Sequence, residues 1–149
     1  MPMIIWLASY PKSGNTWVRS LISSYYYSTN NFKFSDLKKI PNFSIGDFIN
    51  NKEVLKNNLD VTAQWLNTQR LINKNYKKTL FFKTHNACVA INGNKFTDSN
   101  NSLGCIYIVR DPRNVITSYK NFENRPYKEI LNIMTNREGF LYSNKKFEN

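Results

Sequence analysis

The chain has 149 residues, enough for one domain with a real core and too few for two. A net charge of +11 suits an anionic partner, yet the lysines are scattered among still more asparagines and form no basic block. The aromatic residues fall in apolar-periodic segments, which argues against a base-stacking platform and against nucleic acid as the partner.

The apolar run Ile4-Ile5-Trp6-Leu7 predicts a strand buried on both faces of a parallel sheet. From Thr16 the period changes. Trp17, Leu21 and Tyr25, with Val18 and Ile22, recur at helical spacing and predict a helix with that apolar face. Between strand and helix lies Ser9-Tyr10-Pro11-Lys12-Ser13-Gly14-Asn15-Thr16-Trp17, a tight turn into a helix N-terminus whose unpaired N–H groups favour an anion. Aligned on Gly14 with the nucleotide loop G-x-x-x-x-G-K-[ST], it has Ser9 for the first glycine and Asn15 for the lysine, while Thr16 keeps the hydroxyl. Lys12 brings a cation from the other side of the glycine. The alternative is an ordinary strand-to-helix turn with a solvated lysine.

Residues 26–41 read as a loop or cover segment, 45–58 as holding a short helix, and 61–72 as a longer helix carrying Trp65, Leu66, Gln69 and Ile72. Residues 79–84 predict a second buried strand. Alternation puts Lys83 and His85 on one side of it and Phe82 and Thr84 on the other. Ligands of open α/β sheets bind beyond the carboxyl ends of the strands, so a cation and a titratable imidazole stand together at the ligand edge. A structural role for this single histidine is the alternative.

Residues 86–101, rich in Asn with Gly and Asp, read as a surface loop. Residues 103–109 predict a third strand, buried like the first two, with Arg110 beyond its end. Asp111 then caps a helix with Pro112 at its first position and an apolar side of Val115, Ile116, Tyr119 and Phe122. Asn114 and Ser118 share its polar face, and an arginine fork with a serine hydroxyl suits a phosphate. A solvated helix face with Arg110 and Asp111 in a local ion pair is the alternative. Residues 127–135 predict a last helix and 136–149 a polar tail. Strands alternating with helices indicate an α/β fold with a parallel sheet.

Cys88 and Cys105 lie in no metal spacing and the chain has one histidine, so no metal site is expected. Two isolated cysteines, no apolar stretch of membrane-helix length and no basic segment ahead of the first strand suit a soluble cytoplasmic protein.

In this order, Y-P-K-S-G-N-T-W, F-K-T-H and I-V-R-D-P-R-N-V-I-T-S-Y resemble the sulfotransferase family that uses 3′-phosphoadenosine-5′-phosphosulfate (PAPS). The resemblance implies a P-loop-like three-layer fold with a parallel sheet. It gives Lys12, Ser13, Gly14, Asn15, Thr16 and Trp17 to the 5′-phosphosulfate and the adenine edge. It makes His85 the general base with Lys83 beside it, and gives the 3′-phosphate to Arg110 and Ser118. Asn15 stands where the family more commonly has threonine. Sulfuryl transfer moves a group of lower charge than phosphoryl transfer and does not demand a magnesium clamp. A lysine such as Lys12 inside the loop meets the negative charge that grows on the departing phosphate.

Family members are usually much longer and carry a late R-K-G-x-x-G segment, which Arg137-Glu138-Gly139 does not match. The expectation is therefore a single incomplete sulfotransferase domain over residues 1–149, truncated at its C-terminus. It would self-associate or need a complementing C-terminal partner. The expected reaction is sulfuryl transfer to a hydroxyl or amine of a small-molecule, lipid or glycan acceptor. A module that binds PAPS or adenosine 3′,5′-bisphosphate without transfer is the alternative. A P-loop kinase or NTPase is disfavoured by the missing lysine after Gly14 and by Asp111, its one candidate magnesium carboxylate, serving as a cap.

Overall fold

The computed structural model describes residues 3–29, 31–48 and 58–136, with 58–60 described by backbone alone. The chain forms two compact units, Met1–Val109 and Arg110–Asn149.

The first unit is built on a three-stranded parallel sheet in the order β2-β1-β5. Strand β1 (Ile4–Ser9) is central and pairs with β2 (Leu80–Thr84) from Ile4↔Leu80 to Ala8↔Thr84. On its other side it pairs with β5 (Ser102–Ile108), from Ile5↔Gly104 to Ser9↔Ile108. Parallel strands need crossover connections, and α1 (Asn15–Tyr27), α2 (Asn58–Ala63) and α3 (Trp65–Asn75) lie between β1 and β2 in the chain. The fold is α/β, as the alternation of patterns predicts.

One face of the sheet carries the core. Ile4, Trp6 and Phe82 join Trp65 and Ile72 of α3, Ile45 and Phe96. The Trp6 ring lies 5.1 Å from Phe43 and 5.0 Å from Phe96, and its indole N–H donates to Ser102 Oγ at 2.6 Å. The Phe43 contact is edge-on and the Phe96 contact tilted, and such aromatic pairs add to the area they bury. Gln69 is fully buried yet satisfied: its amide donates to Phe96 O and its Oε1 accepts from Thr97 Oγ1 at 2.6 Å. Buried amides are tolerated when both ends are paired.

On the opposite face lie Leu7 and Ser9, both buried. Arg19 of α1 donates to Leu37 O at 2.8 Å and Ile40 O at 2.7 Å, fixing the 3-10 turn Phe34–Lys39 within the segment read as a loop. Residues 41–43 run beside β2, with a parallel bridge Asn42↔Lys83 and bonds Phe43 N to Lys83 O at 2.8 Å and Lys83 N to Pro41 O at 2.9 Å.

Four sequence readings are corrected. Residues 86–101 contain a hairpin, β3 (Ala90–Ile91) and β4 (Asn94–Lys95), turned by Asn92 and Gly93, both at positive φ. Asn-Gly supplies the two left-handed residues of a type I′ turn. The helix read over 61–72 is two helices, α2 and α3, meeting at Gln64. Strand β5 is largely exposed, not buried: Leu103 is 62% and Tyr107 68% accessible. The Trp17–Leu21–Tyr25 stripe of α1 also faces solvent, with Trp17 72% accessible, and the helix buries Asn15 and Ser23 instead. An apolar stripe identifies a surface able to pack; it does not supply the partner. Of the short helix read within 45–58, residues 45–47 form a 3-10 turn and 49–57 lie outside the described residues.

The second unit holds α4 (Pro112–Glu123) and α5 (Tyr127–Thr135). Asp111 caps α4 by accepting from Arg113 N at 2.9 Å, and Pro112 opens the helix as expected. Val115, Tyr119 and Ile130 are buried, whereas Phe122, read as part of the apolar side, is exposed. The polar tail read over 136–149 lies, apart from Asn136, outside the described residues.

Candidate functional site

The site in the first unit is assembled from the carboxyl ends of β1 and β2 and the turn leading into α1. After β1 the chain doubles back, Ser13 N donating to Tyr10 O at 3.3 Å. Lys12 has φ 65° and Gly14 φ 102°, both left-handed. Glycine takes that conformation freely. A lysine held there carries strain of order 1–3 kcal/mol, and such strain clusters at ligand-binding turns.

Gly14 caps α1 without any side-chain bond, and its carbonyl accepts from Trp17 N at 3.0 Å and Val18 N at 3.2 Å. The amides of Gly14, Asn15 and Thr16 have no acceptor among the described residues. Consecutive free N–H groups at a helix start form an anion-binding concavity. A side chain at Gly14 would meet no atom within 4 Å, so the space over the turn is open. Ser13 and Asn15 are buried in the loop wall, and Thr16 and Trp17 are exposed.

Lys83 lies on β2 facing the Leu7 side of the sheet, as alternation predicts. Its ammonium is held below the usual lysine range, first by burial and then by the positive charges of Arg19 and Lys12. Among the described residues the charges acting on it, Arg19 and Lys12, are both positive, a setting that suits an anion.

His85 follows β2 by one residue. Its Nδ1 lies 2.7 Å from Ser9 O and 3.3 Å from Ser9 Oγ. A carbonyl cannot donate, so Nδ1 carries a proton, and in the neutral ring Nε2 keeps its lone pair. Nε2 has no hydrogen-bond partner among the described residues. Burial of the ring edge lowers the His85 pKa most, the Ser9 carbonyl bond opposes that, and the Lys83 charge lowers it further. The residue as a whole is exposed, so the desolvated part is its Nδ1 edge against β1. The lowered pKa favours the neutral imidazole.

The structure thus brings Lys12, Ser13, Gly14, Asn15, Thr16, Lys83 and His85 to one edge of the first unit. Arg110 and Ser118 belong to the second unit. Arg110 is exposed two residues after β5 in the chain, and Ser118 is half-buried on α4, one turn beyond the exposed Asn114. The Asp111 carboxylate pairs with Arg113 at 2.6 Å, and both these hydrogen bonds and the cap hold it below the usual carboxylate range.

Sequence reading missed Ser9, noted there as no more than a substitute for a loop glycine. Its position two residues beyond Leu7, on the same face, was the available signal.

A protein-family model described as the sulfotransferase domain matches residues 2–146. The chain belongs to the sulfotransferase domain family. A search of curated proteins found no match. The match spans nearly the whole chain and assigns the sulfotransferase domain to both units. Among the described residues no helix is long and apolar enough to cross a membrane.

Proposed function

We propose that this sulfotransferase-family chain moves a sulfuryl group from PAPS to a hydroxyl or amine of a small-molecule, lipid or glycan acceptor, with His85 as general base. The observation that carries this reading is the 2.7 Å bond from His85 Nδ1–H to Ser9 O, which in the neutral ring puts the lone pair on Nε2 beside an uncapped, lysine-bearing loop. The free amides of Gly14, Asn15 and Thr16 and the cations of Lys12 and Lys83 fit the phosphosulfate end of such a donor. When bound, PAPS supplies an activated sulfuryl group on a phosphate leaving group. Lys12 and Lys83 stabilise charge growing on that phosphate, and Nε2 takes the acceptor proton. Trp17, exposed at the head of α1, is assigned to the adenine edge, and Arg110 and Ser118 to the 3′-phosphate. A cytoplasmic setting accords with the free thiols of Cys88 and Cys105.

His85→Ala is expected to lower turnover by about 10²–10⁴-fold. Calorimetry should show adenosine 3′,5′-bisphosphate binding unchanged within a few-fold. Full turnover in the variant removes His85 from the role of base. Bisphosphate binding by the native chain with no transfer to any phenol, alcohol or amine of a panel selects the binding-module reading.

A further inference from the structure

We infer that Asn15 and Ser9 act together as a latch that sets the tautomer and orientation of His85, so that both are positioning residues for the base. Asn15 is buried at the first turn of α1. Its Nδ2 donates to Leu7 O at 2.9 Å and to Ser9 Oγ at 3.2 Å. The reverse amide orientation would set Oδ1 against the Leu7 carbonyl, acceptor against acceptor, so the donor side must face β1. Both protons of one nitrogen are thereby used on the end of β1, one on a backbone carbonyl and one on a side-chain hydroxyl, while Oδ1 stays buried without a partner among the described residues. An unpaired buried acceptor is tolerated only where the other contacts of the group hold it in place.

Ser9 receives that bond and passes on its consequence. Its Oγ and its carbonyl both border His85 Nδ1, at 3.3 Å and 2.7 Å. With Oγ held by Asn15, the serine residue presents two oxygens to one imidazole proton. The path runs from Leu7 O through Asn15 Nδ2 and Ser9 to the histidine ring, and lies entirely within the first unit. Threonine, with a single hydroxyl proton, cannot supply both donations at residue 15.

The inference uses the reading of His85 as a base, but its first test does not. The chain holds one histidine, so nitrogen-15 NMR of the full-length protein reports a single imidazole without assignment. In the native chain the proton should reside on Nδ1. In Asn15→Ala and in Ser9→Ala the held Oγ is lost while the Ser9 carbonyl still accepts from Nδ1, so the population should move part of the way toward the Nε2–H form that a free imidazole side chain favours. Turnover should fall roughly tenfold to a hundredfold, as for a misplaced catalytic group, with the KM for PAPS within a few-fold in Ser9→Ala. Ser9→Ala removes one hydroxyl and leaves the carbonyl, so it serves where Asn15→Ala fails to fold by circular dichroism. A native Nε2–H tautomer, or a folded Ser9→Ala protein that keeps the native tautomer, overturns the latch. A tautomer that shifts as expected while His85→Ala retains full turnover upholds the latch and defeats the reading of His85 as base.

Discussion

The two flanks of β1 are built alike and finished differently. Both neighbours are parallel, both are apolar in sequence, and both hold register with β1 over several residues. On the β2 side, Phe82 is buried in an aromatic cluster and residues 41–43 continue the hydrogen bonding past the strand. On the β5 side, Leu103, Ile106 and Tyr107 are exposed. An apolar run thus identifies a strand with equal success in the two places, but burial depends on what the rest of the fold lays over it. His85 and Lys83 sit on the finished flank, where neighbours fix them.

The largest test of that contrast is a pair of truncations. Phe82→Ala should cost about 3–5 kcal/mol, since it opens a cavity in a closed aromatic core. Tyr107→Ala on the exposed strand should stay within about 0.5 kcal/mol. Urea unfolding of the two proteins measures both, and equal losses would show that the β5 flank is covered in solution.

A smaller effect should come from ligand. Adenosine 3′,5′-bisphosphate at about a hundred times its Kd should stabilise the chain by about 2.7 kcal/mol, visible as a raised melting temperature. The increment should shrink in Lys12→Ala.

The smallest effect concerns pH. His85 has a lowered pKa in the fold, through burial first and the Lys83 charge, against about 6.5 when unfolded. Its contribution to stability is therefore full above about pH 6.5 and is lost as pH falls through the lowered folded value, because the unfolded chain binds the proton more readily. His85→Gln should flatten the stability profile just below pH 6.5. An unchanged slope would mean that the imidazole edge is hydrated rather than held against β1.

Much of this was legible in the residues. Continuous apolar runs located β1, β2 and β5 to within a residue or two at each end, Asp111-Pro112 marked the start of α4, and period-two alternation placed Lys83 and His85 together. The hairpin over Ala90–Lys95 was missed because its strands are two residues long, too short for alternation to show, though Asn92-Gly93 announced the turn. The exposed stripe of α1 was misread because hydrophobicity is local and cover is not. Alternation alone puts Ser9 on the Leu7 face, but its contact with His85 and the second donation of Asn15 depend on separate segments meeting, which no spacing along one strand reports.

The distribution of the three tryptophans has an optical consequence. Trp6 and Trp65 are buried in the core of the first unit, while Trp17 stands 72% accessible beside the anion loop. Emission from the first two should be shielded and follow unfolding. Emission from the third should be red-shifted and open to quenching by iodide, and a nucleotide stacking on it would extinguish that component alone. The chain thus carries separate reporters of its fold and of its mouth, and no dye is needed to tell them apart.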